Sequence, residues 1–204
     1  MKFRIFWEQC CIKELQKKTG DKMMGESFLE TERLFIRNFC KDDIKSCYDS
    51  WGQDESLGKY IVLYPMKDLH QMENLVQSFL SNRNAWVILD KKIDQIIGYV
   101  TVDVPYIQLG VGEIGYVIGE KYQKQGYAFE AVNCILTEYL IRQKLYMIEA
   151  KCNEANVASL KLLDRAGFQV DGTLRDRRLN LLTGERNDLI VCSITQNEFI
   201  NHRK

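Results

Sequence analysis

The chain has 204 residues, 46% of them apolar and 27% charged, and its 28 basic and 28 acidic side chains cancel to a formal net charge of zero. That balance excludes a broad attraction to nucleic acid or to an anionic membrane, so an anionic ligand has to be held by local chemistry. A chain of this size buries about 70% of its unfolded surface on folding, which fits one substantial domain.

Residues 1–24 stand apart from the rest of the chain. They carry Lys2, Arg4, Lys13, Lys17, Lys18 and Lys22 against Glu8, Glu14 and Asp21, and no steady apolar period runs through them. They are expected to be an N-terminal extension outside a domain spanning 25–200. Glu8, Gln9, Lys13 and Glu14 break the apolar run that a signal or spanning helix needs, so neither secretion nor membrane insertion is expected.

From "FLETERLFIRNF" onward, β-branched and aromatic runs between turn residues predict strands near 29–38, 85–90, 95–104, 112–119, 145–151, 168–174 and 188–195. Helices are expected near 41–51, 67–82, 126–142 and 155–166. The third is the clearest: Ala128, Ala131, Val132, Ile135, Leu136, Tyr139 and Leu140 fall on one stripe. Glu130 lies in its first turn and Arg142 and Lys144 at its end, as the helix dipole favours. Pro65 and Pro105 fall in turns. Strands alternating with helices make a single α/β domain with a mixed sheet.

Seven scattered cysteines (Cys10, Cys11, Cys40, Cys47, Cys134, Cys152 and Cys192) lack C-x-x-C spacing. They predict reduced thiols in a cytoplasmic protein, and no metal site. With only His70 and His202 present, a histidine triad is not expected either.

Two glycine clusters compete as the place where backbone amides cradle a phosphate. The first, Gly110-Val111-Gly112-Glu113-Ile114-Gly115-Tyr116-Val117, satisfies G-x-G-x-x-G. A dinucleotide fingerprint needs a helix immediately behind it, and here strand-like residues come next, so a hairpin and a bulge are expected. A kinase loop would need V-A-I-K, H-R-D and D-F-G partners, which the chain lacks. The second cluster, Gln123-Lys124-Gln125-Gly126-Tyr127-Ala128, lies between a strand and the best predicted helix. Its successive amides, the helix dipole, and Lys121 and Lys124 together suit an anion.

In this setting the chain resembles the GNAT superfamily of N-acetyltransferases, most closely its RimJ/RimL-like branch. The resemblance runs from "LETERLFIR" through "GEIGYVIGEKYQKQGYAFEA" and "NEANVASLKLLDRAGFQVDGTLRD" to "NDLIVCSI", about 170 residues in order. It implies a mixed, largely antiparallel sheet of six to seven strands flanked by helices, with a splayed fourth and fifth strand pair. It also implies acetyl-CoA as acetyl donor, its pyrophosphate on Gln123, Lys124, Gln125, Gly126, Tyr127 and Ala128. The pantetheine arm would pair with the backbone of Tyr116, Val117 and Ile118, and Asn156 would face it from the next helix. The branch also admits a homodimer.

Transfer of acetyl from a thioester to an amine needs a neutral amine, a route for its proton and a proton for the departing thiolate. Glu113 and Glu149 are the candidate bases by the resemblance, although a strand glutamate commonly does no more than pair with a lysine. Many relatives carry a tyrosine where this chain has Leu163, which leaves Ser159 as the nearby hydroxyl. Cys134 and Cys152 are expected to be buried thiols, not acyl carriers. The expected activity is direct acetylation of a primary amine, in this branch a protein N-terminal α-amine. A polyamine or antibiotic acceptor stays open, because the 104–112 and 176–187 loops carry no readable code. A non-catalytic acyl-CoA-binding module and a nucleotide binder using Gly110–Gly115 stay open as well.

Overall fold

The computed structural model describes residues 28–61, 63–81, 85–180 and 183–203; the expected extension at 1–24 lies outside them. Strands β1 (Leu29–Glu30), β2 (Leu34–Asn38), β3 (Ala85–Asp90), β4 (Gln95–Tyr106), β5 (Val111–Ile118), β6 (Met147–Asn153), β7 (Gln169–Leu179) and β8 (Arg186–Thr195) form one sheet. Their order is β1-β2-β3-β4-β5-β6-β8-β7. Only β5 and β6 run parallel. The mixed, largely antiparallel sheet flanked by helices is thus present, as expected.

It has eight strands because the stretch at 29–38 folds back on itself. Thr31 N donates to Leu34 O at 3.0 Å and Leu34 N donates to Thr31 Oγ1 at 2.9 Å, closing a turn that sets Leu29 opposite Ile36. Apolar alternation continues through both strands, so periodicity alone does not reveal the reversal.

One face of the sheet carries α1 (Asp43–Cys47), which runs on through a π-helical turn at Tyr48–Gly52, then α2 (Glu55–Gly58) and α3 (Leu69–Ser81). The other carries α4 (Tyr127–Leu136), extended by a π-helical turn at Thr137–Arg142, α5 (Val157–Arg165) and α6 (Gln196–His202). The core has two layers accordingly. Ala131, Val132, Ile135 and Leu136 pack with Trp86, Ile88, Ile114 and Ile148 beneath α4. Cys47, Trp51, Met72 and Val76 pack with Val87, Leu89, Tyr99 and Val117 on the opposite face. Burying each such aliphatic side chain is worth about 1.5–3 kcal/mol. All six residues of β3 are buried, as a strand covered on both faces requires.

Helix α6 has no counterpart in the expected elements. A capping box starts it: Thr195 Oγ1 accepts from Glu198 N at 3.3 Å and Glu198 Oε2 accepts from Thr195 N at 2.8 Å, while Phe199 enters the core at 1% exposure.

The feature that positions the site is an early end to one strand pair. The β5–β6 register runs from Val111 opposite Met147 to Ile114 opposite Ala150 and stops. Beyond that point β5 stays paired with β4 as far as Ile118 opposite Gly98, and β6 stays paired with β8 as far as Asn153 opposite Leu189. A glycine explains how close β5 comes to β4 there: a Cβ on Gly98 would lie 2.1 Å from Val117 O. There β5 follows β4 while β6 follows β8.

Candidate active site

Between the parted strands, the β6-facing edge of Gly115–Ile118 has no strand partner among the described residues. The chain then turns through Glu120–Tyr122, where Asp54 Oδ2 accepts from Glu120 N at 2.7 Å and Tyr122 Oη donates to Gln95 Oε1 at 2.8 Å. Gln123 through Gly126 are exposed. Gln123 Nε2 donates to Ile118 O at 3.0 Å, which ties this turn to the end of β5. Lys124 and Gly126 adopt φ of 60° and 81°, both left-handed, and bend the chain into the start of α4. Glycine as N-cap leaves the first-turn amides without a side-chain cap, and Lys121 and Lys124 are exposed in the turn before them.

Arg33 also reaches this turn, with no local sign of it in the sequence. From the β1–β2 turn its Nη1 donates to Gln125 O at 2.9 Å, its Nε pairs with Glu130 Oε2 at 2.7 Å, and its guanidinium lies 4.5 Å from the Tyr127 ring centre. Glu130 further accepts from Thr31 Oγ1 and, at 3.0 Å, from Arg33 N. Burial pushes the Glu130 carboxyl up, but these bonds outweigh it and hold it below the usual carboxylate range. The separation of 97 positions between Arg33 and Glu130 hides the pair from any local pattern.

Glu113 and Glu149 stand directly opposite each other in the last stretch of β5–β6 pairing. Ile114 and Ile148 belong to the layer beneath α4, so alternation turns both glutamates to the face that carries α1–α3. They line a pocket of ≈ 330 Å³ with Lys151, walled on its apolar side by Pro105, Tyr106, Leu109 and Val111. Lys151 Nζ pairs with Glu113 across the point where the strands part. Among the described residues Glu149 makes no side-chain hydrogen bond or ion pair. Lysine pairing therefore accounts for Glu113 and not for Glu149.

The opposite face carries hydroxyls. Tyr116 packs against the α4-side layer, and its Oη lies 2.6 Å from Ser159 Oγ. Asn156 caps α5, its Oδ1 accepting from Ser159 N at 3.1 Å. Leu163, two turns in from Asn156, is 2% exposed in the core. Cys152 is buried as expected, whereas Cys134 is only half-buried; desolvation pushes both thiols up, which does not fit standing thiolates.

The glycine cluster at 110–115 does different work. Gly110 takes the left-handed turn after Ile107–Leu109 with φ 65°, and Gly112 is buried in β5 opposite the β4 bulge at Val104 and Pro105. A Cβ on Gly112 would lie 3.0 Å from Ile148 and Val102, and no helix opens behind it. Among the described residues no group of three or more His, Cys, Asp or Glu could hold a metal, and no helix is long and apolar enough to cross a membrane.

Residues 33–169 match the Acetyltransferase (GNAT) domain. The chain is 30% identical over 176 residues to "Uncharacterized N-acetyltransferase p20" of Bacillus licheniformis, covering 84% of this chain and 97% of that one. A GNAT-family acetyltransferase from Bacillus anthracis has the same fold at TM-score 0.74 and 23% identity, covering 84% of this chain and 99% of that one. So does RimL, the ribosomal L7/L12 alpha-N-protein acetyltransferase in complex with coenzyme A, at TM-score 0.75 and 16% identity over 83% and 98%. With its strands parted beside an uncapped helix start, and with a relative alike over nearly its whole length, this chain belongs to the GNAT family of N-acetyltransferases and is an acyltransferase.

Proposed function

We propose that the protein transfers acetyl directly from acetyl-CoA to a primary amine, and that the amine is the α-amine of a protein N-terminus. The observation that carries this is the edge of Gly115–Ile118, without a strand partner among the described residues, which leads into the exposed turn at 123–126 and the start of α4. An edge that offers amides and carbonyls suits the pantetheine arm, and uncapped helix-start amides near Arg33, Lys121 and Lys124 suit a pyrophosphate. The residues present thus fit acetyl-CoA, which supplies an acyl group already activated as a thioester. In this assignment the backbone of Tyr116, Val117 and Ile118 holds the arm, the turn from Gln123 to Ala128 holds the phosphates, and Asn156 shapes the start of α5 beside them.

Glu149 is the favoured proton acceptor because it lies in the pocket without a side-chain partner among the described residues, whereas Glu113 is held by Lys151. An α-amine, with a pKa of roughly 7.7 to 8.0, keeps a useful neutral fraction near neutral pH and asks little of such a base. The apolar wall of Pro105, Tyr106 and Leu109 offers the first side chain of a peptide somewhere to rest. RimL's action on a protein terminus supports the same choice.

The test is an acceptor panel read by release of the CoA thiol. Short peptides with a free α-amine are expected to turn over, and the same peptides blocked at the terminus are not. Turnover of spermidine or an aminoglycoside with no peptide turnover overturns the acceptor assignment. Binding of acetyl-CoA without thiol release to any amine overturns the acetyl-transfer proposal itself.

A further inference from the structure

We propose that the Tyr116 hydroxyl, not that of Ser159, protonates the departing CoA thiolate, and that Ser159 is the positioning residue for it. This rests on the acetyl transfer proposed above. Three observations carry it. Tyr116 lies two residues beyond the last β5–β6 pair, on the stretch of β5 whose edge is free. Its side chain points to the face opposite Glu113 and Glu149, so one face of the gap takes a proton and the other gives one. Its Oη sits 2.6 Å from Ser159 Oγ, and Ser159 is itself fixed by the Asn156 cap.

The chemistry of the two hydroxyls decides which is the donor. A phenol, near 10 in water, is a far stronger acid than an aliphatic alcohol, so within a bonded pair the tyrosine gives up its proton first. Burial pushes the Tyr116 phenol up, which keeps it protonated across the neutral range. A thiolate formed in the same desolvated gap is raised by the same cause, so burial does not widen the small difference in acidity between phenol and thiol. Helix α5 offers no substitute, because Leu163 is packed in the core and a tyrosine there would have to displace its neighbours.

In the transfer step the amine lone pair forms the N–C bond, and the C–S bond breaks with its electron pair left on sulfur. The Tyr116 Oη proton passes to that sulfur, and the surplus proton on nitrogen passes to Glu149. The phenolate then regains a proton from solvent water through Ser159 Oγ, and Glu149 releases the proton it took to solvent, so that both groups are restored.

The experiment compares wild type with Tyr116→Phe, Ser159→Ala and the double variant. Its first readout needs no turnover: affinity for CoA against desulfo-CoA by calorimetry. Wild type is expected to prefer CoA by roughly three- to tenfold, the worth of one hydrogen bond to sulfur. Tyr116→Phe removes that preference while acetyl-CoA affinity stays within about twofold. The second readout is kcat, expected to fall roughly ten- to a hundredfold in Tyr116→Phe, the lower part of the general-acid range. The defect shrinks with the selenoester of acetyl-CoA, whose selenol leaves with less help. Ser159→Ala loses less, and the double variant loses no more than Tyr116→Phe. Replacement of Tyr116 by 3,5-difluorotyrosine preserves the packing, should the phenylalanine variant be unstable, and moves the alkaline limb of kcat to lower pH. Normal kcat in Tyr116→Phe, an unchanged preference for CoA, or a defect equal with both esters overturns the proposal. Absence of thiol release from wild type counts against the acetyl-transfer proposal, and the desulfo-CoA comparison still reads Tyr116 in that case.

Discussion

Gly126 has an open outer side, with a hypothetical Cβ only 3.4 Å from Arg33 Nη2, and a φ of 81° that disfavours any side chain. Gly112 is the reverse, an ordinary strand residue hemmed in by Ile148, Val102 and Leu145. Their substitutions should separate cleanly. Gly126→Asp sets a carboxylate against the phosphates and is expected to abolish the rise in Tm that acetyl-CoA produces. Gly112→Ala overpacks the layer beneath α4, costing about 1–3 kcal/mol while cofactor affinity survives. A thermal shift assay with acetyl-CoA, NAD and ATP checks both, and stabilisation by NAD to the same degree would contradict the choice of turn. At this scale the sequence separated a glycine cluster within a strand from one that opens a helix, because the residues behind each differ in period. It did not show the side chain of Tyr116, since only its backbone belonged to a recognised pattern. Nor did it show which way Glu113 points: in "VGEIGYVI" two glycines interrupt the alternation and the last residues are covered on both faces.

Among the elements, the β1–β2 turn is the one whose role sequence could not supply. Helix α4 is legible from its apolar stripe, and its first turn from Gly126 and Glu130, but what holds that turn in place comes from the far edge of the sheet. Arg33 ties the hairpin to Gln125, Tyr127 and Glu130 together. The Glu130 carboxyl is held below its ordinary value, so its contribution is fully present above that value and is lost as pH falls through the depressed one. Arg33→Ala is therefore expected to lower Tm at neutral pH, by a gap that narrows as the solution is acidified below about pH 4. It should also weaken acetyl-CoA binding. Melting curves across that range test it, and a gap independent of pH would mean that Arg33 stabilises by packing alone. Helix α6 was legible in principle, because Thr195-x-x-Glu198 is a capping-box pattern. Its shortness kept it below the length at which apolar periodicity speaks.

For the whole molecule, the order of strands and helices came from composition and period, whereas the parting of β5 from β6 did not. It depends on which strands pair and how far, and a single chain read from end to end contains no record of what lies beside what. We also propose that the domain stands without its first residues. A chain begun at Met24 is expected to melt within a few degrees of the full chain and to keep the shift that acetyl-CoA produces. A larger loss in differential scanning fluorimetry would assign residues 1–24 a share in packing or in a subunit contact.

An exposed strand edge ordinarily invites another strand, and natural sheets cover or blunt such edges. The bare edge of Gly115–Ile118 lies inside its sheet, with β6 continuing alongside it toward Asn153. A second polypeptide strand needs about 4.8 Å of clearance on each side and room for side chains above and below. Here Tyr116 and Ser159 meet on one face, and Lys151 reaches Glu113 at the apex on the other. A thinner chain that carries amide groups meets the same edge with fewer side groups to place. If the pantetheine arm takes this edge, as proposed above, the bound donor also covers the seam that would otherwise invite another strand.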